Sequence, residues 1–373
     1  MARPVLHNEF CDKLGIDYPI FLAGMGVGGM ATPPELAAAV SAAGGLGVMG
    51  CSALSPEETR RRIRKVREIT DKPFGIDLLI PAKIADAPNS RTEVRDEIKK
   101  RWPEHYAFVQ ELITRFGLEP ADHEDETVVN IEFAESIIEV VLEEKVPLFA
   151  AGLGDPGIII PRGHEQGMFV MGLSGSVRNA ERQIRAGVDA VIAQGTEAGG
   201  HTGRIANFPL IPQVVDAVSP TPVVAAGGIA DGRGVAAALA LGAQAAWIGT
   251  AFLVAEECQL PDQNKDQILA GDSWSFEVNR TWTGKTVRSF ANEVTKAWDE
   301  SGLDQLQTPY QRILIEDFIV AARKAGRDDL CLNAAGQIGG MLTERKPAAR
   351  IMSELVEGAI EVLDGLQTRI QTR

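Results

Sequence analysis

PVVAAGGIADGRGVAAALALGA, residues 222–243, decides the fold. Pro222–Ala226 is a short apolar run without polar alternation, the pattern of a strand buried on both faces. Gly227–Gly234 is a glycine-rich turn, and the Ala/Leu segment from Val235 reads as a helix lying back on that strand. A second apolar run, Ala245–Ile248, follows and ends in Gly249 and Thr250. Strand, turn, helix, strand in so short a length makes the two strands parallel neighbours.

The same rhythm extends back through the chain. Apolar runs recur at Pro19–Ala23, Leu46–Met49, Phe74–Leu79, Pro147–Ala151, Met168–Met171 and Ala190–Gln194. With the two above they number eight, which predicts an α/β fold, a closed (β/α)8 TIM barrel. The intervening segments carry helical spacing: Leu36, Val40 and Ala43 share one face, as do Val177, Ala180 and Ile184. The rhythm breaks after the third run, where a charged stretch, 91–115, and an acidic patch, Asp122–Glu126, form a mainly helical insertion. Such an insertion is either a lid or a surface decoration. After Glu257 the rhythm stops. The expected organisation is a barrel over 1–258 with the insertion at about 81–130, a helical appendage over 259–346 with an irregular stretch at Trp274–Arg288, and a C-terminal helix in 347–373 packing on the barrel. Met352, Leu355, Val356, Ala359, Ile360 and Leu363 share a face of that helix; they pack internally or make a homodimer.

Net charge is −14, which excludes a nucleic-acid backbone as partner. Arg60, Arg61, Arg62, Arg64 and Lys65 follow Glu57 and Glu58 and read as a solvated helix face. Cys11, Cys51, Cys258 and Cys331 are dispersed, giving neither a disulfide framework nor a metal site. With no apolar leader in MARPVLHNEF and no membrane-length apolar run, a cytoplasmic protein is expected.

Three glycine-rich segments follow strand ends, where such barrels place their chemistry. Gly24–Gly29 allows close approach of backbone to a flat ring, or is a tight turn alone; its spacing is not that of a dinucleotide fingerprint. Gly227–Gly234 and Gly249-Thr250 follow the seventh and eighth strands, where backbone N–H groups commonly bind phosphate. Gln194-Gly-Thr-Glu-Ala-Gly-Gly-His201 follows the sixth. His201, in a polar glycine-flanked loop, is placed for proton transfer. Gln194 can hydrogen-bond a heteroaromatic edge, and Glu197 either orients a ring or caps the loop. His7, His105, His123 and His164 read as surface residues.

At PIFLAGMG, ELAAAVSAAGGLGVMG, DKPFGIDLL, AQGTEAGGHTG, PVVAAGGIADGRGVAAALALGA and IGTAFL, in order from 19 to 253, the chain resembles the nitronate monooxygenase (2-nitropropane dioxygenase) family of FMN-dependent TIM barrels. Flavin-dependent enoyl-acyl-carrier-protein reductases and flavin dehydrogenases of CoA thioesters are related, and NAAGQIGG resembles the family's tail. The resemblance implies FMN held by Gly24, Met25, the strand-three position, Gln194, Gly199, Gly227, Gly228, Gly249 and Thr250, with His201 as the catalytic histidine. The strand-three position is Asp77 where the family usually has Asn, and Ala251 replaces an Arg that often follows the strand-eight Gly-Thr. The purine-nucleotide dehydrogenase barrels, which share a similar phosphate segment, need a cysteine after strand six; none lies between Gln194 and Gly203.

The expected activity is oxidation of a nitronate by FMN and dioxygen to a carbonyl compound and nitrite. The alternatives are an NAD(P)H-dependent reductase or dehydrogenase of an acyl or enoyl thioester or quinone, and a non-catalytic flavin-binding barrel.

Overall fold

The computed structural model describes residues 6–26, 29–80, 90–120 and 130–369. The acidic patch Asp122–Glu126, with His123, and the ends of the insertion lie outside them, as do Val27 and Gly28.

The strands are β1 (Ile20–Leu22), β2 (Gly47–Gly50), β3 (Phe74–Leu79), β4 (Leu148–Gly152), β5 (Phe169–Ser174), β6 (Ala190–Gln194), β7 (Gly200–His201), β8 (Val223–Ala226), β9 (Ala245–Ile248), β10 (Phe276–Asn279) and β11 (Val287–Phe290). Eight form one parallel sheet in the order β1-β9-β8-β6-β5-β4-β3-β2. A parallel bridge between Phe21 and Leu46 joins its two edges, with Leu22 N–H donating to Leu46 O at 2.9 Å, so the sheet closes into a TIM barrel. Closure explains the apolar runs: Phe21, Val48, Ala150, Met171 and Ile192 fill the interior, while Leu22, Met49, Ala151, Val170 and Val191 meet the helices.

The N-terminal end of the barrel is plugged. Asn8 caps the helix Glu9–Leu14 by accepting from Phe10 N–H and Cys11 N–H, and its own amide donates to Gln244 O at 2.8 Å. Phe10 then reaches the rings of Phe21 and Phe169, with centroids 5.9 and 5.8 Å away. At the opposite rim the glycine-rich loops converge around a cavity.

Helix Ala348–Arg369 packs between Gly232–Ala240 and Pro34–Ala42. It occupies the eighth helix position of the ring, separated from its strand β9 by the excursion 254–347. The approach to Gly232–Ala240 is close: a Cβ at Gly232 would lie 2.2 Å from Ala359 N.

The insertion and the excursion make a second core together. Helices Arg91–Arg101 and Pro103–Arg115 pack against Tyr310–Lys324, burying Val94, Val109, Leu112, Trp298, Ile315 and Phe318 in one cluster. Ion pairs Arg91–Glu316 (2.8 Å) and Arg95–Asp317 (3.1 Å) flank it. Phe108 meets Trp298 edge to face, centroids 5.3 Å apart. Phe108→Ala is therefore expected to cost about 1–3 kcal/mol in denaturant unfolding; an unchanged midpoint would show that the two segments fold without that contact.

Residues 259–346 are not helical throughout. Within the stretch read as irregular, β10 and β11 pair antiparallel, Phe276 opposite Phe290, and β11 pairs with β7, Val287 opposite His201. Alternation is present but weak, because Val278 stays 44% exposed on this small sheet.

Among the described residues no helix is long and apolar enough to cross a membrane, and no group of three or more His, Cys, Asp or Glu could hold a metal. The four cysteines are free and buried.

Candidate active site

One cavity at the C-terminal rim is lined by Gly24, Met25, Asp77, Gln194, Gly199, His201, Gly227, Gly228, Gly249 and Thr250 alike. It encloses about 1260 Å³ including its open mouth. Five different barrel strands supply these residues, so the barrel's closure, not sequence proximity, assembles them.

The turn after β8 is shaped for an anion. Gly227 and Gly228 have φ of +92° and +71°, a left-handed conformation that favours glycine. Neither N–H donates to a backbone acceptor among the described residues. Asn207 Nδ2 holds the turn by donating to Ala226 O at 3.0 Å and also to Gly227 O. Gly227 is half-buried and Gly228 exposed, so two N–H groups stand uncommitted at a cavity wall, where a ligand oxygen can accept from them. Across β9, a Cβ at Gly249 would lie 3.1 Å from Met25 Sδ.

The loop after β6 is clamped at several points. Gln194 Nε2 donates to His201 O at 2.6 Å, and Thr202 Oγ1 donates to Gly195 O at 3.2 Å. Buried Arg288 on β11 donates to Thr196 O from Nε (3.1 Å) and Nη2 (2.9 Å). Glu197 resolves toward capping: its carboxylate accepts Asn207 N–H at 3.0 and 3.1 Å, at the start of helix Asn207–Val218. With one amide hydrogen on His201 O, Gln194 keeps Oε1 without a partner among the described residues.

The imidazole of His201 lies 3.4 Å from Thr283 Oγ1. Burial, reinforced by the charges of Lys285 and Arg312, lowers its pKa to about 4, so the ring is neutral at neutral pH. On its far side a second cavity opens, lined by Leu153, Leu173, Asn179, Arg182, Lys285 and Thr286 among others. Leu153, Leu173, Gln194 and His201 line both cavities, so the histidine stands where an inner pocket meets an outer vestibule.

Sequence reasoning missed part of the wall. Leu332, Asn333, Ala334, Gly336 and Ile338 line the inner cavity. Gly336 N–H donates to Thr250 Oγ1 at 2.9 Å, and Gln337 N–H donates to Glu197 O at 3.1 Å. A Cβ at Gly199 would lie 2.5 Å from the Ala335 carbonyl carbon, so this strap is laid directly on the histidine loop. The available signal was NAAGQIGG, noted as a tail but not placed at the site. No described residue of 90–120 lines either cavity. Of the other histidines, His7 and His164 are exposed and pair with Asp12 and Asp189, and His105 bonds Asp304 O.

The sequence model of the nitronate monooxygenase family matches residues 7–358. A Mycobacterium tuberculosis chain described as a monooxygenase is 35% identical, over 98% of this chain and 100% of the relative. Nitroalkane oxidase from Streptomyces ansochromogenes superposes with a TM-score of 0.82 at 29% identity, over 96% of this chain and 100% of that one. FabK from Thermotoga maritima superposes with a TM-score of 0.76 at 31% identity, over 98% and 99%. A match along nearly the whole chain, insertion and strap included, shows that this protein belongs to the nitronate monooxygenase family and is a flavoprotein oxidoreductase.

Proposed function

We propose that the chain is an FMN-dependent nitronate monooxygenase, oxidising a nitronate to a carbonyl compound and nitrite at the expense of dioxygen. The observation that carries this reading is the electrostatic setting of His201. Lys285, whose charge helps to keep the ring neutral and which lines the vestibule with it, favours an anion beside it. A nitronate carries its negative charge on the reacting atoms; an enoyl thioester does not.

The residues present fit the cofactor. The paired donors of Gly227 and Gly228, with Gly249 and Thr250, would hold its phosphate. Gly24, Met25, Asp77, Gln194 and Gly199 would surround its ring. Bound there, FMN supplies the redox chemistry, relaying electrons from substrate to dioxygen. His201 hydrogen-bonds the nitro oxygens through its N–H, or takes a proton from carbon when the substrate arrives as the neutral nitroalkane. Leu153 and Leu173 present apolar surface where the pockets join, which limits water beside the reacting carbon.

Aerobic turnover of a preformed nitronate should release nitrite and a carbonyl compound with matching consumption of oxygen. No nitrite from any of a panel of alkyl nitronates would overturn the reading.

A second reading is an NAD(P)H-dependent reductase of an enoyl thioester. The outer vestibule favours it, since its 1660 Å³, open mouth included, exceeds what a small nitronate needs, as does the likeness to FabK. It requires NAD(P)H oxidation that depends on an enoyl thioester.

A further inference from the structure

Asp77 is a carboxyl group in a place built for an amide or an acid. It sits at the C-terminal end of β3, in register with Gly50 of β2 and Ala150 of β4. It is 7% exposed and lines the inner cavity. Among the described residues its carboxyl makes no hydrogen bond and no ion pair. The backbone of Gly24 is laid over it so closely that a Cβ there would lie 2.1 Å from Asp77 Cβ, which fixes the side chain at the cavity wall. In the closed sheet β3 stands diametrically opposite β8. The carboxyl therefore lies at the far side of the rim from the Gly227-Gly228 donors, toward the ring end of a cofactor whose phosphate they hold.

We propose that Asp77 is kept as a neutral carboxylic acid that donates a hydrogen bond to the flavin ring, so that its ionisation weakens flavin binding. The inference rests on the flavin reading above and adds a role specific to this chain.

An ionised carboxylate accepts only, and here it would be buried without a donor, which is costly. A protonated one carries a donor and an acceptor, the same pair an amide offers. Burial raises the Asp77 pKa to about 8, so the acid persists through neutral pH. The groups facing it leave that balance undisturbed. Cys51, after β2, is pushed to about 12 by burial and stays a thiol. Gly24 and Met25 from the β1 loop and Gly152 from β4 carry no charge. Arg62 and Glu58, which act on Cys51, are paired to each other at 2.6 Å. His201, across the cavity, is neutral above about pH 4.

The test is equilibrium binding of FMN to the apoprotein, followed by flavin fluorescence from pH 6 to 9.5, for wild type, D77N and D77A. Wild-type Kd should be level to about pH 7 and rise above pH 8, by up to roughly tenfold per pH unit. D77N, which keeps a donor that does not ionise, should bind with a level profile. D77A should bind more weakly than D77N at pH 7. A level wild-type profile, or the same rise in D77N, overturns the proposal and leaves the flavin reading intact. Wild-type apoprotein that binds no FMN at any pH overturns both.

Discussion

His201→Ala lowers kcat/KM for a neutral nitroalkane by roughly 10²–10⁴-fold, the usual contribution of a positioned proton-transfer group, and leaves the flavin bound. The variant should keep its fold because the histidine's structural ties are through its backbone: its carbonyl accepts from Gln194, and β7 pairs with β11 through main-chain atoms. Its side chain is held only by the long approach to Thr283. The wild-type pH profile should carry the matching signature. A histidine with an ordinary pKa would impose an acid limb near pH 6.5. Burial and the Lys285 and Arg312 charges disfavour the imidazolium, so the limb moves down to about pH 4 and kcat/KM stays level from neutrality to about pH 5. The sign for stability is the same. Below pH 6.5 the unfolded chain takes up the proton that the folded histidine refuses, so this residue makes the fold less stable as pH falls from 6.5 toward 4. Loss of activity with a midpoint near 6.5 would show that the ring is not in this cationic, desolvated setting.

Gly227→Val should abolish stoichiometric flavin binding, raising the FMN Kd by about 100-fold or more. At a φ of +92° a β-branched residue is strained by roughly 1–3 kcal/mol. Its Cβ would also lie 3.0 Å from both Ala198 Cβ and Ala198 N, so the turn must open and move its two donors. Gly228→Ala makes a graded comparison. Its φ is +71°, but the nearest atom to its Cβ is Glu197 Cβ at 3.4 Å, an ordinary contact. It should bind FMN more weakly than wild type and more tightly than Gly227→Val. Equal affinity in all three proteins would remove the turn after β8 from the phosphate site.

What the sequence disclosed and what it hid divide along one physical line. The barrel was legible because each βα unit repeats a local pattern, and parallel strands buried on both faces must be apolar throughout. The rim turns were legible because backbone conformations such as those at Gly227 and Gly228 exclude side chains, so they are written as glycine. His201 stood out because a histidine among glycines has no packing role to explain it. The hidden features are pairings between distant segments. Nothing in Arg91–Arg115 names Tyr310–Lys324 as its partner, since each helix shows only an apolar face. Phe276–Asn279 and Val287–Phe290 are short, partly exposed strands whose alternation barely rises above loop composition, so their pairing with each other, and that of Val287 with His201, was invisible. The same holds for Lys285, whose charge matters only because the connection between β10 and β11 brings it to the vestibule. The C-terminal helix was read as packing on the barrel, but its place as the eighth helix of the ring was hidden because a long excursion separates it from β9.

Asp77 lies between these cases. The sequence exposed it as a departure at a cofactor position, and on that ground a carboxylate looked out of place. The structure supplies the missing term: burial without donors makes the neutral acid the stable form, and an acid and an amide offer the ring the same hydrogen-bonding pair.

The central claim, that the electrons come from a nitronate bound beside His201, is tested most directly by anaerobic stopped-flow mixing of the flavin-loaded protein. The account predicts that a nitronate changes the visible flavin spectrum within the turnover time, that NADH and NADPH do not, and that His201→Ala slows the change. A spectrum bleached by NADH or NADPH and indifferent to nitronates would contradict it and assign the pocket to reductive chemistry on a thioester or quinone.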